Sequence, residues 1–220
     1  MPASRPAAVL FDMDGTLVDT EHLWWQAAAE LAAELDLTLT DADLPDVLGQ
    51  AVEHTAAHLH RSSRTSRPEA DLAARLNESF AAKVAAGTVP RPGALDLLAA
   101  LHSAGVPTAL VSASPRRVVD LVLGTLGPHW FTTTLAAEDT PRTKPHPDPY
   151  LAAAERLGLA PAACVAVEDT PTGVASARAA GCAVLAVPST VPIPAADGTT
   201  VRDSLSGVDL GYLAALAPAA

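Results

Sequence analysis

Val9-Leu10-Phe11-Asp12-Met13-Asp14-Gly15-Thr16 is the stretch that decides the fold. Ala7 to Phe11 is a short apolar run that ends in Asp and Gly, the pattern of a buried strand running into a loop. Asp12 and Asp14 are two apart, so an extended chain aims both carboxylates to one side. Two close carboxylates repel unless a cation sits between them or one keeps its proton. Either outcome suits chemistry better than folding, because a strand that only had to end needs one Asp or Gly.

Working outward, residues from Thr20 to about Ala86 read as helical. Glu21 to Leu35 carries a recurring apolar face with Thr20 as N-cap. Asp41–Leu59 and Pro68–Ala86 repeat the theme across a polar, basic loop at Arg61–Arg67. Beyond Val89 the pattern becomes alternating. Helices are predicted from Pro92-Gly93 through Leu101 and over Pro115–Leu126, Pro149–Leu157 and Pro171–Ala180. Strands are predicted over Val106–Ser112, Thr132–Ala136, Cys164–Glu168 and Ala183–Val187, followed by a surface loop from Pro188 to Gly198. Strands alternating with helices imply right-handed crossovers and a parallel sheet. The expected fold is therefore α/β: a Rossmann-like parallel-sheet core of residues 1–19 and 88–220, interrupted by an all-α insert of residues 20–87.

Ser114-Pro115, Asp148-Pro149 and Thr170-Pro171 each pair a capping residue with Pro at the first helical position. Helix N-termini suit phosphate, and open parallel sheets bind ligands at the carboxyl ends of their strands. Asp12, Asp14, Ser112 and Glu168-Asp169 all fall at such ends, although they lie far apart in sequence.

Composition narrows the function. The net charge of −11 argues against a nucleic-acid binder and against adhesion to anionic membranes. No apolar run reaches the ~18–20 residues that span a bilayer. The first eight residues lack a signal-peptide pattern, so the expectation is a cytoplasmic protein, monomeric or a weak homodimer. Cys164 and Cys182 sit in or beside apolar strand-like runs and read as buried free thiols. Lysine is scarce, with only Lys83 and Lys144 against twelve arginines, which singles out Lys144 in its Pro-rich loop.

Four segments in order carry a family resemblance: Asp12-Met13-Asp14-Gly15-Thr16, Ser112 in Leu110-Val111-Ser112-Ala113-Ser114, Lys144-Pro145, and Glu168-Asp169 in Val165-Ala166-Val167-Glu168-Asp169-Thr170. Together they resemble the motifs of the haloacid dehalogenase superfamily, in the phosphatase and β-phosphoglucomutase-like branch with a helical cap. The resemblance implies Asp12 as nucleophile and Asp14 as general acid/base. It implies Mg²⁺ held by Asp12, Asp14 (through its backbone carbonyl), Asp169 and Glu168, the last as ligand or just behind the ligands. Gly15, Thr16, Ser112, Ala113 and Lys144 are the expected phosphate binders, with Trp24 as an apolar wall toward the substrate. The expected partner is a small phosphorylated metabolite, a sugar phosphate first.

Asp14 argues against a dehalogenase, which lacks the second Asp, and a lone cap lysine, Lys83, argues against a phosphonate hydrolase. A hexose-phosphate mutase is the alternative; Trp24 stands where such mutases carry a His, and Leu48-Gly49-Gln50 lacks their basic cluster. A non-catalytic binding protein on the same fold is the remaining reading, disfavoured because every motif residue is present. His54 and His58 have helical spacing but no further ligand beside them, so they read as solvated helix residues. Arg116 and Arg117 either meet a polar substrate or lie on the surface.

Overall fold

The computed structural model describes residues 5–217. Contacts divide the chain into two units, one made of residues up to Asp19 with those from Val89 onward, the other of Thr20–Thr88.

The first unit contains a six-stranded sheet. Strands β1 (Ala8–Phe11), β4 (Thr108–Val111), β5 (Thr133–Leu135), β6 (Cys164–Glu168), β7 (Ala183–Ala186) and β8 (Thr199–Val201) lie in the order β5-β4-β1-β6-β7-β8, all parallel. β2 (Val18–Asp19) and β3 (Val89–Pro90) form a separate antiparallel pair where the chain leaves this unit and returns to it. Every residue of β1, β4 and β6 is buried, as near-continuous apolar strands covered on both faces require. One face, with Leu10, Ala109, Val111, Ala166 and Val184, packs on Tyr150, Ala153 and Ala154 of α7 (Asp148–Arg156) and on Val174 and Ala177 of α8 (Pro171–Ala180). The alternate residues Val9, Phe11, Leu110, Val165 and Val167 point the other way and are equally buried.

Strand order reverses about β1: the chain moves outward through β4 and β5, then returns on the other side with β6. Phe11 pairs with Leu110 and with Val167, so the next residue, Asp12, emerges level with the ends of both neighbouring strands. A bond from the Asp12 N–H to the Val167 carbonyl, 2.9 Å, extends the ladder by one residue and fixes where that carboxylate begins.

The second unit is helical: α1 (Glu21–Glu34), α2 (Leu44–Val47), α3 (Val52–Ser63) and α4 (Glu69–Ala86). Its core includes Leu23, Trp24, Leu31, Leu59, Leu72, Leu76 and Phe80. His58 pairs with Asp43 and His54 with Asp46, each at 2.8 Å, so both histidines tie α3 to the segment before it. Lys83 is engaged by Glu30 at 2.6 Å. No helix among the described residues is long and apolar enough to cross a membrane.

Several expectations need local correction. The Asp41–Leu59 helix is a short 3₁₀ turn, α2 and α3, because the chain leaves helical geometry at Leu48 and passes through Gly49 at φ 68°. Thr20 stands at the N-cap of α1, but its side chain does not make the capping bond. Pro115, not Ser114, precedes α6 (Arg116–Leu126), and α7 begins at Asp148 itself, after Pro147. Thr170 caps α8 as predicted, its hydroxyl accepting from the Gly173 N–H. The edge strand β8 and the terminal helix α9 (Leu210–Leu216) had no counterpart in the sequence reading.

Candidate active site

Three strand ends bring the site together. Asp12 follows β1, Ser112 follows β4, and Glu168 closes β6 with Asp169 next to it. Lys144 arrives from the loop before α7; a bond from the Ser176 hydroxyl to the His146 carbonyl ties that loop to α8.

The Lys144 ammonium has three protein acceptors: Asp12 Oδ1 at 2.6 Å, the Val111 carbonyl at 2.9 Å and Glu168 Oε1 at 2.6 Å. An ammonium has three protons, so its donors are fully used. Burial alone would lower the lysine's pKa, but the charges of Asp12 and Glu168 outweigh it and hold the value above the ordinary lysine range. Glu168 is fully buried. Desolvation drives its carboxyl up against the opposing pull of Lys144, to about 7. The Tyr150 hydroxyl also donates to Glu168 Oε1, at 2.5 Å; burial and then the carboxylate charge push that phenol well above its usual value.

Asp12 is thus held by one oxygen only. Its other oxygen, Oδ2, is buried and has no hydrogen-bond partner among the described residues. An unsatisfied buried carboxylate oxygen is costly and calls for an occupant of its own. Oxygens of Asp12, Glu168 and Asp169 lie within 4.8 Å of one another, the only such cluster among the described residues. Three carboxylates meet here and Lys144 pairs with two of them, so the site carries excess negative charge, and its donors are all oxygen. Those features fit a hard divalent cation.

Asp14 follows the loop away from this cluster. Its Oδ2 accepts from the Ser114 hydroxyl at 2.7 Å and from the Ser112 hydroxyl at 3.3 Å. The Ser112 oxygen in turn accepts the Ser114 N–H at 2.9 Å. Ala113 lies exposed between these serines. Asp169 accepts from Thr16 and from Ser189, which lies just beyond β7. Gly15 has φ 77°, and a Cβ there would stand 2.0 Å from Asp169 Oδ2, so both backbone conformation and space require glycine.

Asp12, Asp14, Gly15, Thr16, Ser112, Ala113, Lys144, Glu168 and Asp169 therefore converge on one end of the sheet. Trp24 belongs to the helical unit, where its indole N–H donates to the Val47 carbonyl at 2.8 Å and its ring meets Phe80 edge-on at 5.3 Å. Arg116 is also engaged within its own unit, by Thr134 and Asp139.

Four participants escaped the sequence reading. Ser114 reads as a helix-capping residue, and its hydroxyl instead reaches Asp14. Ser189 sits in a segment that reads as surface loop, yet its hydroxyl donates to Asp169. Tyr150 reads as a core aromatic, and no local pattern signals where its hydroxyl points. Gly173, in the first turn of α8, leaves space that Glu168 fills: a Cβ there would lie 1.9 Å from Oε2 and 2.1 Å from Oε1.

The parallel sheet thus gathers paired carboxylates, a lysine and a hydroxyl at its carboxyl end, the architecture of a hydrolase of the α/β class. Residues 6–181 match the model of the haloacid dehalogenase-like hydrolase family, and the chain belongs to that family. It is 38% identical over 201 residues to hexitol phosphatase A of Escherichia coli, covering 86% of this chain and 87% of that one. A crystal structure of CbbY from Rhodobacter sphaeroides in complex with phosphate superposes with a TM-score of 0.82 at 28% identity, covering 94% and 99% of the two chains. A CbbY variant in complex with xylulose-(1,5)-bisphosphate gives 0.81 at 27% identity, with the same coverage.

Proposed function

We propose that this chain is a Mg²⁺-dependent phosphatase that hydrolyses a small sugar phosphate through an aspartyl-phosphate on Asp12, with residues 20–87 as its substrate-selecting cap. The observation that carries the reading is the asymmetry of Asp12, one oxygen held by Lys144 and the other bare. The bare Oδ2 attacks phosphorus in line with the leaving oxygen, which splits one difficult displacement into two easier ones. Asp14 gives the leaving oxygen its proton and afterwards takes one from the water that opens the aspartyl-phosphate. Ser112 and the Ala113 N–H bind phosphoryl oxygens, with Gly15 and Thr16 shaping the loop beneath. Lys144 keeps the nucleophile oriented and offsets its charge.

Asp12 and Asp169, with the Asp14 carbonyl and Glu168 alongside, are the residues that would hold the cation. When bound, Mg²⁺ neutralises carboxylate and phosphate charge so that the two anions can meet. The names of the relatives, a hexitol phosphatase and a protein crystallised with a ketose bisphosphate, support a sugar phosphate as the class to test first.

The test is phosphate release from hexitol, hexose and pentulose phosphates, nucleotides and 4-nitrophenyl phosphate, with Mg²⁺ or with chelator. Asp12→Asn should stay folded and lose metal-dependent release by several orders of magnitude, as removal of a covalent nucleophile does. Interconversion of hexose phosphate isomers without net phosphate release would overturn the phosphatase reading in favour of a mutase.

A further inference from the structure

We infer that Tyr150 is a positioning residue for this reaction, acting through Glu168 to fix Lys144 against the nucleophile; the inference rests on the function proposed above. Tyr150 lies fully buried on α7, in an apolar core that includes Leu10, Val111 and Ala166. A phenylalanine would fill that volume, and a hydroxyl buried there is costly unless it is bonded. Among the described residues the Tyr150 hydroxyl bonds the Glu168 oxygen that also meets Lys144.

The geometry forms a chain of dependence. Two of the three acceptors around the Lys144 ammonium, the Val111 carbonyl and Asp12, are set by strand ends. The third, Glu168, is a long side chain whose rotamer must be chosen by its surroundings. Gly173 leaves the space, the Asp169 N–H donates to Oε2 at 3.3 Å, and the Tyr150 hydroxyl bonds Oε1, the oxygen that meets Lys144. The tyrosine ring also flanks Lys144, with the ammonium 5.3 Å from its centroid. The Tyr150 hydroxyl bonds Glu168, whereas Asp12 is bonded by Lys144. Loss of the tyrosine hydroxyl should therefore disturb the alignment of the nucleophile more than the binding of substrate, and small misalignments are costly in rate.

The experiment compares wild type, Tyr150→Phe, Glu168→Gln and the double variant by two readouts. In steady-state kinetics with Mg²⁺ on 4-nitrophenyl phosphate, Tyr150→Phe should lower kcat on the order of tenfold, the size of one hydrogen bond to a charged group, and leave KM within about twofold. On the Glu168→Gln background the same change should cost almost nothing further, because its route runs through Glu168. The second readout needs no turnover. The chain has only two lysines, so limited amine acylation followed by peptide mass spectrometry reports Lys144 against Lys83 as internal reference. Tyr150→Phe should speed acylation of Lys144 several-fold with Lys83 unchanged. Unchanged kcat together with unchanged Lys144 acylation would overturn the inference, as would costs that add in full on the Glu168→Gln background. Loss of the fold in Tyr150→Phe would make the hydroxyl purely structural and also overturn it. A wild type that releases no phosphate defeats the proposed function alone, and the acylation ratio still decides the role of Tyr150.

Discussion

Gly173→Ala is the substitution for which helix propensity and tertiary packing predict opposite signs. In a helix interior, alanine is ordinarily favoured over glycine by about 1 kcal/mol. At Gly173 the new methyl would stand 1.9 Å from Glu168 Oε2 and 2.0 Å from Cδ, well inside contact distance. A flexible carboxylate on the surface would swing away at little cost. Glu168 is fully buried and is held by Tyr150 at 2.5 Å and Lys144 at 2.6 Å, so retreat strips hydrogen bonds from a buried acid. Losing one bond to a charged group costs about 1.5–3 kcal/mol. Overpacking adds about 1–3 kcal/mol. Against the propensity gain, the net expectation is a destabilisation of roughly 2–5 kcal/mol, with a matching loss of phosphate release because the Lys144 anchor moves. The assay is urea unfolding followed by circular dichroism, with Gly124→Ala as the control. Gly124 lies in α6, where a Cβ meets nothing within 4 Å, so that variant should gain about 1 kcal/mol. If Gly173→Ala proves as stable as wild type while the control behaves as stated, the packing argument around Glu168 is wrong.

Two further outcomes follow from the same geometry. Glu168, raised in the folded protein to about 7 from an ordinary 4.5, takes up a proton on folding over that interval. Its stabilising share is complete below about pH 4.5 and is lost as pH rises through about 7, by at most about 3 kcal/mol. Urea unfolding in chelator at pH 5 and pH 7.5 should show this fall in wild type, and equal slopes in Glu168→Gln would contradict it. Trp24→Phe removes the indole N–H from the Val47 carbonyl and should cost about 1–3 kcal/mol of stability without changing kcat/KM. A change in kcat/KM at unaltered melting temperature would instead place Trp24 against the substrate.

The strands that carry Asp12, Ser112 and Glu168 were legible because each is a short apolar run ended by a polar residue, a pattern that depends only on neighbours in sequence. The parallel sheet followed from their alternation with helices. Less was readable where the signal was short or double. Thr199–Val201 has three residues, too few for a period to show. Leu48-Gly49 interrupts an otherwise helical apolar pattern at a single turn. Trp24 satisfies an apolar core and an apolar substrate wall equally well, because a run of apolar residues on a helix face looks the same in either role.

The order of residues by itself determined the α/β class, the helical insert and the set of acidic, hydroxyl and amine groups that meet at one end of the sheet. Tertiary structure alone decided how those groups are wired. It placed the Ser114 hydroxyl on Asp14 rather than at a helix cap, gave Lys144 three acceptors, left one Asp12 oxygen bare, and set Tyr150 and Gly173 around Glu168. The reason is physical: strand and helix periodicity are properties of adjacent residues, whereas a hydrogen bond from α7 to the end of β6 exists only once the helix has packed on the sheet in one register.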